Sequence, residues 1–211
     1  MWQIFFGSII LSAIHASIPN HWIPLIALSK SQKWTEKETL FATFITGMAH
    51  TISTIIIGII VGVIGIKLTE NYSLITNIAA PIILLSIGII YLFIDLKSSG
   101  HLHHHFEQTD QKNKNNKSKT AIILSLSIAM FLTPCIEIEA YYFQAATIGW
   151  TGIFIVSAVY FIITLLGMLT LVALGLKGLS KFKSHFLEHH EKMITGIVMI
   201  LLGLLAYFVE F

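Results

Sequence analysis

The stretch His15-Ala16-Ser17-Ile18-Pro19-Asn20-His21 sits inside an apolar segment that runs from Trp2 to Leu28. It places two imidazoles and a helix-breaking proline where hydrocarbon is expected. A second such run is Thr133-Pro134-Cys135-Ile136-Glu137-Ile138-Glu139, and His50 lies in a third apolar stretch after Gly47-Met48-Ala49. An acid at the centre of a bilayer costs roughly 2.5–3.5 kcal/mol even on lenient scales, so such groups face one another or a water-filled path. Imidazole, thiolate and carboxylate together are the donor set of a divalent transition metal.

The bulk composition agrees with a membrane setting. The 211 residues are 55% hydrophobic and only 11% charged, with a mean hydropathy of +0.79. A soluble domain carries about 25% charged residues. Taking about 20 apolar residues per span, the chain reads as six: Trp2–Leu28 (interrupted), Leu40–Ile66, Leu74–Leu96, Ala121–Ile148, Gly152–Leu176 and Met193–Phe208. None shows the period-two alternation of a barrel strand, so the expected fold is an all-α integral membrane protein. The first and fourth segments are too long for a plain span, and each holds a proline. Helices 1 and 4 are therefore expected to break at Pro19 and Pro134. No basic region precedes the apolar run at Met1-Trp2-Gln3-Ile4, and no cleaved leader is expected.

Orientation follows from lysine, which supplies all thirteen basic residues. Twelve fall in the loops after segments one, three and five, and only Lys67 lies on the opposite side. The positive-inside rule makes those loops cytoplasmic and puts both termini outside. The expected location is a bacterial inner membrane. A polar loop, 97–120, contains His101-Leu102-His103-His104-His105 and divides two apolar halves, 1–96 and 121–211. Multiple imidazoles on such a loop bind borderline-soft metals weakly and reversibly, which suits ion capture. The stretch 178–192, with His185, His189 and His190 among alternating Lys and Glu, reads as a solvated interfacial helix.

The two halves also match each other. At an offset of 115, Pro19 meets Pro134, Ser12 meets Ser127, and the stretch Ile83–Ile90 meets Val198–Leu205 with Gly88 on Gly203. The pairs Gly47-Met48 and Gly167-Met168 match at an offset of 120. Three spans per half is an odd number, so the halves would be two inverted three-helix repeats. Such repeats, broken in corresponding places, point to a binding site at the midplane.

The site expected from these residues is a metal centre of His15, His21, His50, Cys135, Glu137 and Glu139, lined by Asn20, Thr51 and Tyr141. On an ideal helix His15 and His21 would stand about 240° apart, so they share a site only if the helix breaks between them. Cys135 is the soft ligand, and its being the chain's one cysteine rules out a dithiol relay within the chain.

His15-x4-Asn20-His21, Gly47-Met48-Ala49-His50-Thr51 and Thr133-Pro134-Cys135 together resemble the short motifs of the nickel/cobalt-transporter and UreH-like branch of the LysE-type transporter superfamily. Asn20 stands where that branch usually has aspartate, and Glu137-Ile138-Glu139 is not its downstream motif. The resemblance implies a secondary transporter for a divalent ion such as nickel, cobalt or zinc. Its carboxylates could exchange protons for metal, since ligation needs deprotonated ligands. The expected partners are the metal ion and the lipid bilayer, with no nucleic acid; assembly into a homo-oligomer is left open. The sequence has no ATP-binding P-loop motif. The alternative is a membrane metalloenzyme holding one or two fixed metals with the same residues, with Tyr141 and Tyr142 as acid/base or radical partners.

Overall fold

The computed structural model describes residues 1–97, 119–133, 135–177 and 191–208. Pro134, the loop imidazoles His101, His103, His104 and His105, and the later His185, His189 and His190 lie outside the described residues. Among the described residues the chain forms α-helices and one short 3-10 turn, with no strand. The helices are α1 (Trp2–Ser17), α2 (Pro19–Ser31), α3 (Glu36–Lys97), α4 (Lys119–Phe131), α5 (Ile136–Ala145), α6 (Trp150–Leu176) and α7 (Glu191–Phe208).

The first break falls at Ile18, whose φ of −61° and ψ of 124° are extended. A residue before proline is driven out of the helical region by the pyrrolidine ring, and Pro19 then begins α2 at the position where its missing N–H costs nothing. A matching break separates α4 from α5. Cys135 is extended there, at φ −102° and ψ 108°, and the two helices are bent by 50°. Gly149 opens α6 with a φ of 70° and a ψ of −154°, a conformation that a side chain rarely allows.

Among the described residues, three stretches are long and apolar enough to cross a membrane: Trp2–Ser31, Glu36–Glu70 and Trp150–Leu176. The bent pair Lys119–Phe131 and Ile136–Ile148 makes a fourth if it counts as one span. Ile78–Ile94 and Met193–Leu205 are apolar but shorter. At 1.5 Å per residue each reaches about 25 Å or less, short of a hydrocarbon core of about 30 Å. The outward faces of the long helices carry large apolar side chains, among them Phe41, Phe44, Ile52, Ile60, Phe154 and Leu166. Faces of that kind suit a lipid environment.

Segments two and three of the sequence reading both fall within α3, as its arms Glu36–Glu70 and Ile78–Ile94. That helix is not straight. His50 and Tyr91, 41 positions apart, would be separated by about 60 Å on a straight helix. Instead both reach one cluster: Tyr91 meets Glu137, Glu137 meets His15, and His15 meets His50. The chain therefore doubles back between the arms Glu36–Glu70 and Ile78–Ile94.

The second arm packs against α7 through glycines. A Cβ on Gly88 would lie 2.7 Å from the Gly196 carbonyl oxygen and 2.8 Å from Ile200 Cγ1. A Cβ on Gly203 would lie 2.9 Å from Leu85 Cγ and 3.1 Å from the Pro81 carbonyl oxygen. Small residues permit such close backbone approach. The pairing is antiparallel, since Pro81 meets Gly203 while Gly88 meets Gly196. These contacts also exchange under a shift of 115 residues, the offset at which the sequence matches itself. Gly88 with Gly196 and Ile200 becomes Gly203 with Pro81 and Leu85. Equivalent positions on these two helices thus run in opposite directions.

Candidate metal centre

Both breaks deliver ligands to one place. His15 occupies the last turn of α1 and His21 the first turn of α2, and the kink at Ile18 brings their ring centroids to 4.4 Å. His50 comes from the first arm of α3, with its ring 4.9 Å from His21 and stacked on His15 at 5.6 Å. Cys135, at the start of α5, sets its Sγ 3.3 Å from His15 Nε2 and 3.4 Å from His50 Nε2. The two Nε2 atoms are themselves 3.3 Å apart. One ligand atom from each of His15, His21, His50 and Cys135 falls within 4.8 Å of all the others. His15, His50 and Cys135 are buried.

The outer nitrogens of two imidazoles are fixed by partners that can only accept. His15 Nδ1–H donates to Glu137 Oε1 at 3.2 Å, and Tyr91 donates to Oε2 of the same carboxylate at 3.3 Å. His50 Nδ1–H donates to the Met130 carbonyl at 3.2 Å. That carbonyl lacks its usual helical donor, because residue 134 is proline and has no N–H, and it also accepts from Thr133 N–H at 3.4 Å and from Thr133 Oγ1 at 3.2 Å. A neutral imidazole that donates from Nδ1 carries its lone pair on Nε2. With both rings neutral, two lone pairs and a sulfur point at one another across about 3.3 Å in a buried site. A cation placed among them would relieve that arrangement. Carboxylate or carbonyl, imidazole and metal in series form the usual support of a metal ligand.

Glu137, expected as a ligand, thus lies behind His15 and holds it. Glu139 is turned elsewhere, because two positions along a helix amount to about 200°. Its carboxylate oxygens are enclosed and have no hydrogen-bond partner among the described residues. Of the expected lining residues, Asn20 is exposed, and Thr51 turns its hydroxyl back to the Gly47 carbonyl at 2.8 Å. Tyr141 donates to the Gln3 and Ile4 carbonyls, each at 3.3 Å, tying α5 to the start of α1. Tyr142 shares a 2.7 Å hydrogen bond with Ser157. Both tyrosines are thus engaged away from the four-residue cluster.

Sequence reading missed Tyr160, Tyr91 and the Met130 carbonyl. Tyr160 is fully buried in α6, with its hydroxyl 3.5 Å from both His50 Nε2 and Thr54 Oγ1. Nothing in an apolar helix distinguishes these two tyrosines from packing residues. The Met130 carbonyl did carry a signal, four residues ahead of Pro134. Comparison with protein-family models, curated proteins and solved structures gives no match for this chain.

The arrangement makes a quantitative prediction. Glu137→Gln leaves all four ligand atoms in place but weakens the support of His15, so metal affinity is expected to fall about 10- to 100-fold without being lost. Isothermal titration of the purified variants with Zn²⁺ measures this. An unchanged affinity would show that Glu137 has no part in holding the site.

Proposed function

We propose that this protein is a secondary transporter of a divalent transition metal, with His15, His21, His50 and Cys135 as the ion's binding site. One observation carries the reading: three imidazoles and a thiol from four helices converge in the interior of an apolar helical bundle. Imidazole nitrogens and a sulfur facing one another at 3.3–3.4 Å suit a shared divalent cation. The resemblance to the nickel/cobalt-transporter and UreH-like branch supports the same reading through three short motifs.

In this proposal the chain crosses a bacterial inner membrane six times as two inverted three-helix repeats, and the shorter helices Ile78–Ile94 and Met193–Leu205 span where the bilayer thins or flanking residues snorkel. The contacts that exchange between Gly88 and Gly203 support the inversion. Three ligands then belong to the half 1–96 and the fourth, Cys135, to the half 121–211. Rocking one half against the other would pull the thiolate from the imidazoles and release the ion. The lysine bias supports external termini and a cytoplasmic loop 97–120, whose histidines would collect ions at that face. Glu137 would hold His15 in its liganding tautomer throughout. Ligation by a thiolate releases a proton, which offers a route to coupling with a proton gradient.

His21 is the best test residue, since its Nδ1 has no partner among the described residues and Cys135 keeps His15 and His50 beside it when His21 is removed. In proteoliposomes, His21→Ala is expected to abolish uptake of radioactive metal while the protein elutes from size exclusion as the parent does. Parent-like uptake by a well-folded His21→Ala protein would refute the site.

A further inference from the structure

Resting on that reading, we infer that the centre is built for a tetrahedral ion and therefore selects Zn²⁺ and Co²⁺ over Ni²⁺. The first argument is metric. His15 Nε2, His50 Nε2 and Cys135 Sγ form a nearly equilateral triangle with sides of 3.3, 3.3 and 3.4 Å. With metal–nitrogen bonds of about 2.05 Å and metal–sulfur bonds of about 2.3 Å, a tetrahedron has nitrogen–nitrogen edges of about 3.35 Å and nitrogen–sulfur edges of about 3.55 Å. The 90° angles of a square-planar or octahedral ion shorten neighbouring edges to about 2.9–3.1 Å at the same bond lengths. The nitrogen–nitrogen edge is that of a tetrahedron and the nitrogen–sulfur edges lie between the two geometries, while the His21 ring sits close to both other imidazoles.

The second argument counts donors. The cluster offers four atoms, three of nitrogen and one of sulfur, and its nearest carboxylate is already engaged by His15 and Tyr91. Octahedral coordination of a harder ion would need further oxygen ligands, and Glu139 is not part of the cluster. Four coordination with imidazole and thiolate is the chemistry of zinc. A set completed by protein also leaves no open position for a water or substrate. The centre on this view holds its ion as cargo and does not activate a reactant.

Co²⁺ reports the geometry directly. Untagged full-length protein in detergent is titrated with Co²⁺ and followed by visible and near-ultraviolet absorption. Intense d–d bands with a thiolate charge-transfer band are expected, and Cys135→Ser should remove the charge-transfer band. Zn²⁺ should displace the bound Co²⁺ at a concentration at least 10-fold below that at which Ni²⁺ does. Co²⁺ that binds with only weak octahedral bands, or that Ni²⁺ displaces as readily as Zn²⁺, would overturn the tetrahedral selection while leaving a metal site intact. Absence of any binding that depends on His15, His21 or Cys135 would overturn the transport site as well. Should Cys135→Ser prove unstable, His21→Ala provides the second test through loss of the intense d–d bands.

Discussion

Replacing His15 with alanine is expected to do two separable things: abolish metal binding and cost about 3 kcal/mol of stability. The ligand atom lost is Nε2. The structural cost comes from the other side of the ring, where Glu137 loses its donor at 3.2 Å and keeps Tyr91 and a backbone N–H. A buried charged group deprived of one hydrogen bond loses on the order of 1.5–3 kcal/mol, and the vacated ring leaves a void besides. Glu137→Gln added to the His15→Ala protein removes the stranded charge. Most of the lost stability should then return, and none of the binding. Thermal unfolding in detergent beside Zn²⁺ titration separates the two effects. A double variant as unstable as His15→Ala alone would mean that His15 does not hold the Glu137 carboxylate.

The second large effect is expected at the glycine contact between α3 and α7. Valine at Gly88 would bring its Cβ to 2.7 Å from the Gly196 carbonyl oxygen and 3.0 Å from the Ile200 nitrogen. Both neighbours are backbone and cannot swing aside, so the helices must separate. Overpacking of this kind costs about 3 kcal/mol. Gly203→Val meets the Pro81 carbonyl and Leu85 in the exchanged contact, and its loss should agree with that of Gly88→Val to within about 1 kcal/mol. Ile90→Val, on an exposed face, serves as the control and should change stability by about 0.5 kcal/mol or less. Unequal losses at the two glycines, with one near the control, would argue against a two-fold relation between these helices.

Much of the site was legible because membrane sequences leave few places for polar groups. His15, His21, His50 and Cys135 stand out against apolar neighbours, and Pro19 announces the kink that lets the first two meet. The roles of the acids were not legible. Glu137 and Glu139 look alike in sequence, and the direction of each around α5 decides that one supports His15 while the other faces away from the cluster. Likewise Thr51 sits next to His50 in the chain, yet its hydroxyl spends its hydrogen bond on the preceding turn. Tyr91 reaches Glu137 only because α3 returns on itself. The polar stretch Lys67–Ser73 marked a return between two spans, but not which residues the returning arm would meet.

The sequence by itself determined the helical class, the two breaks, the offset of 115 between matching halves and four of the residues that meet. Each follows from short-range chemistry: hydropathy, the ring of proline, or identity at a fixed spacing. Tertiary structure alone decided which nitrogen of each histidine faces the ligand cluster, which acid supports it and how far apart the ligand atoms lie. Those depend on groups up to 122 residues apart in the chain, as His15 and Glu137 are. Distances of that kind arise only when the broken helices pack, because a kink fixes the direction of a side chain but not the partner it meets.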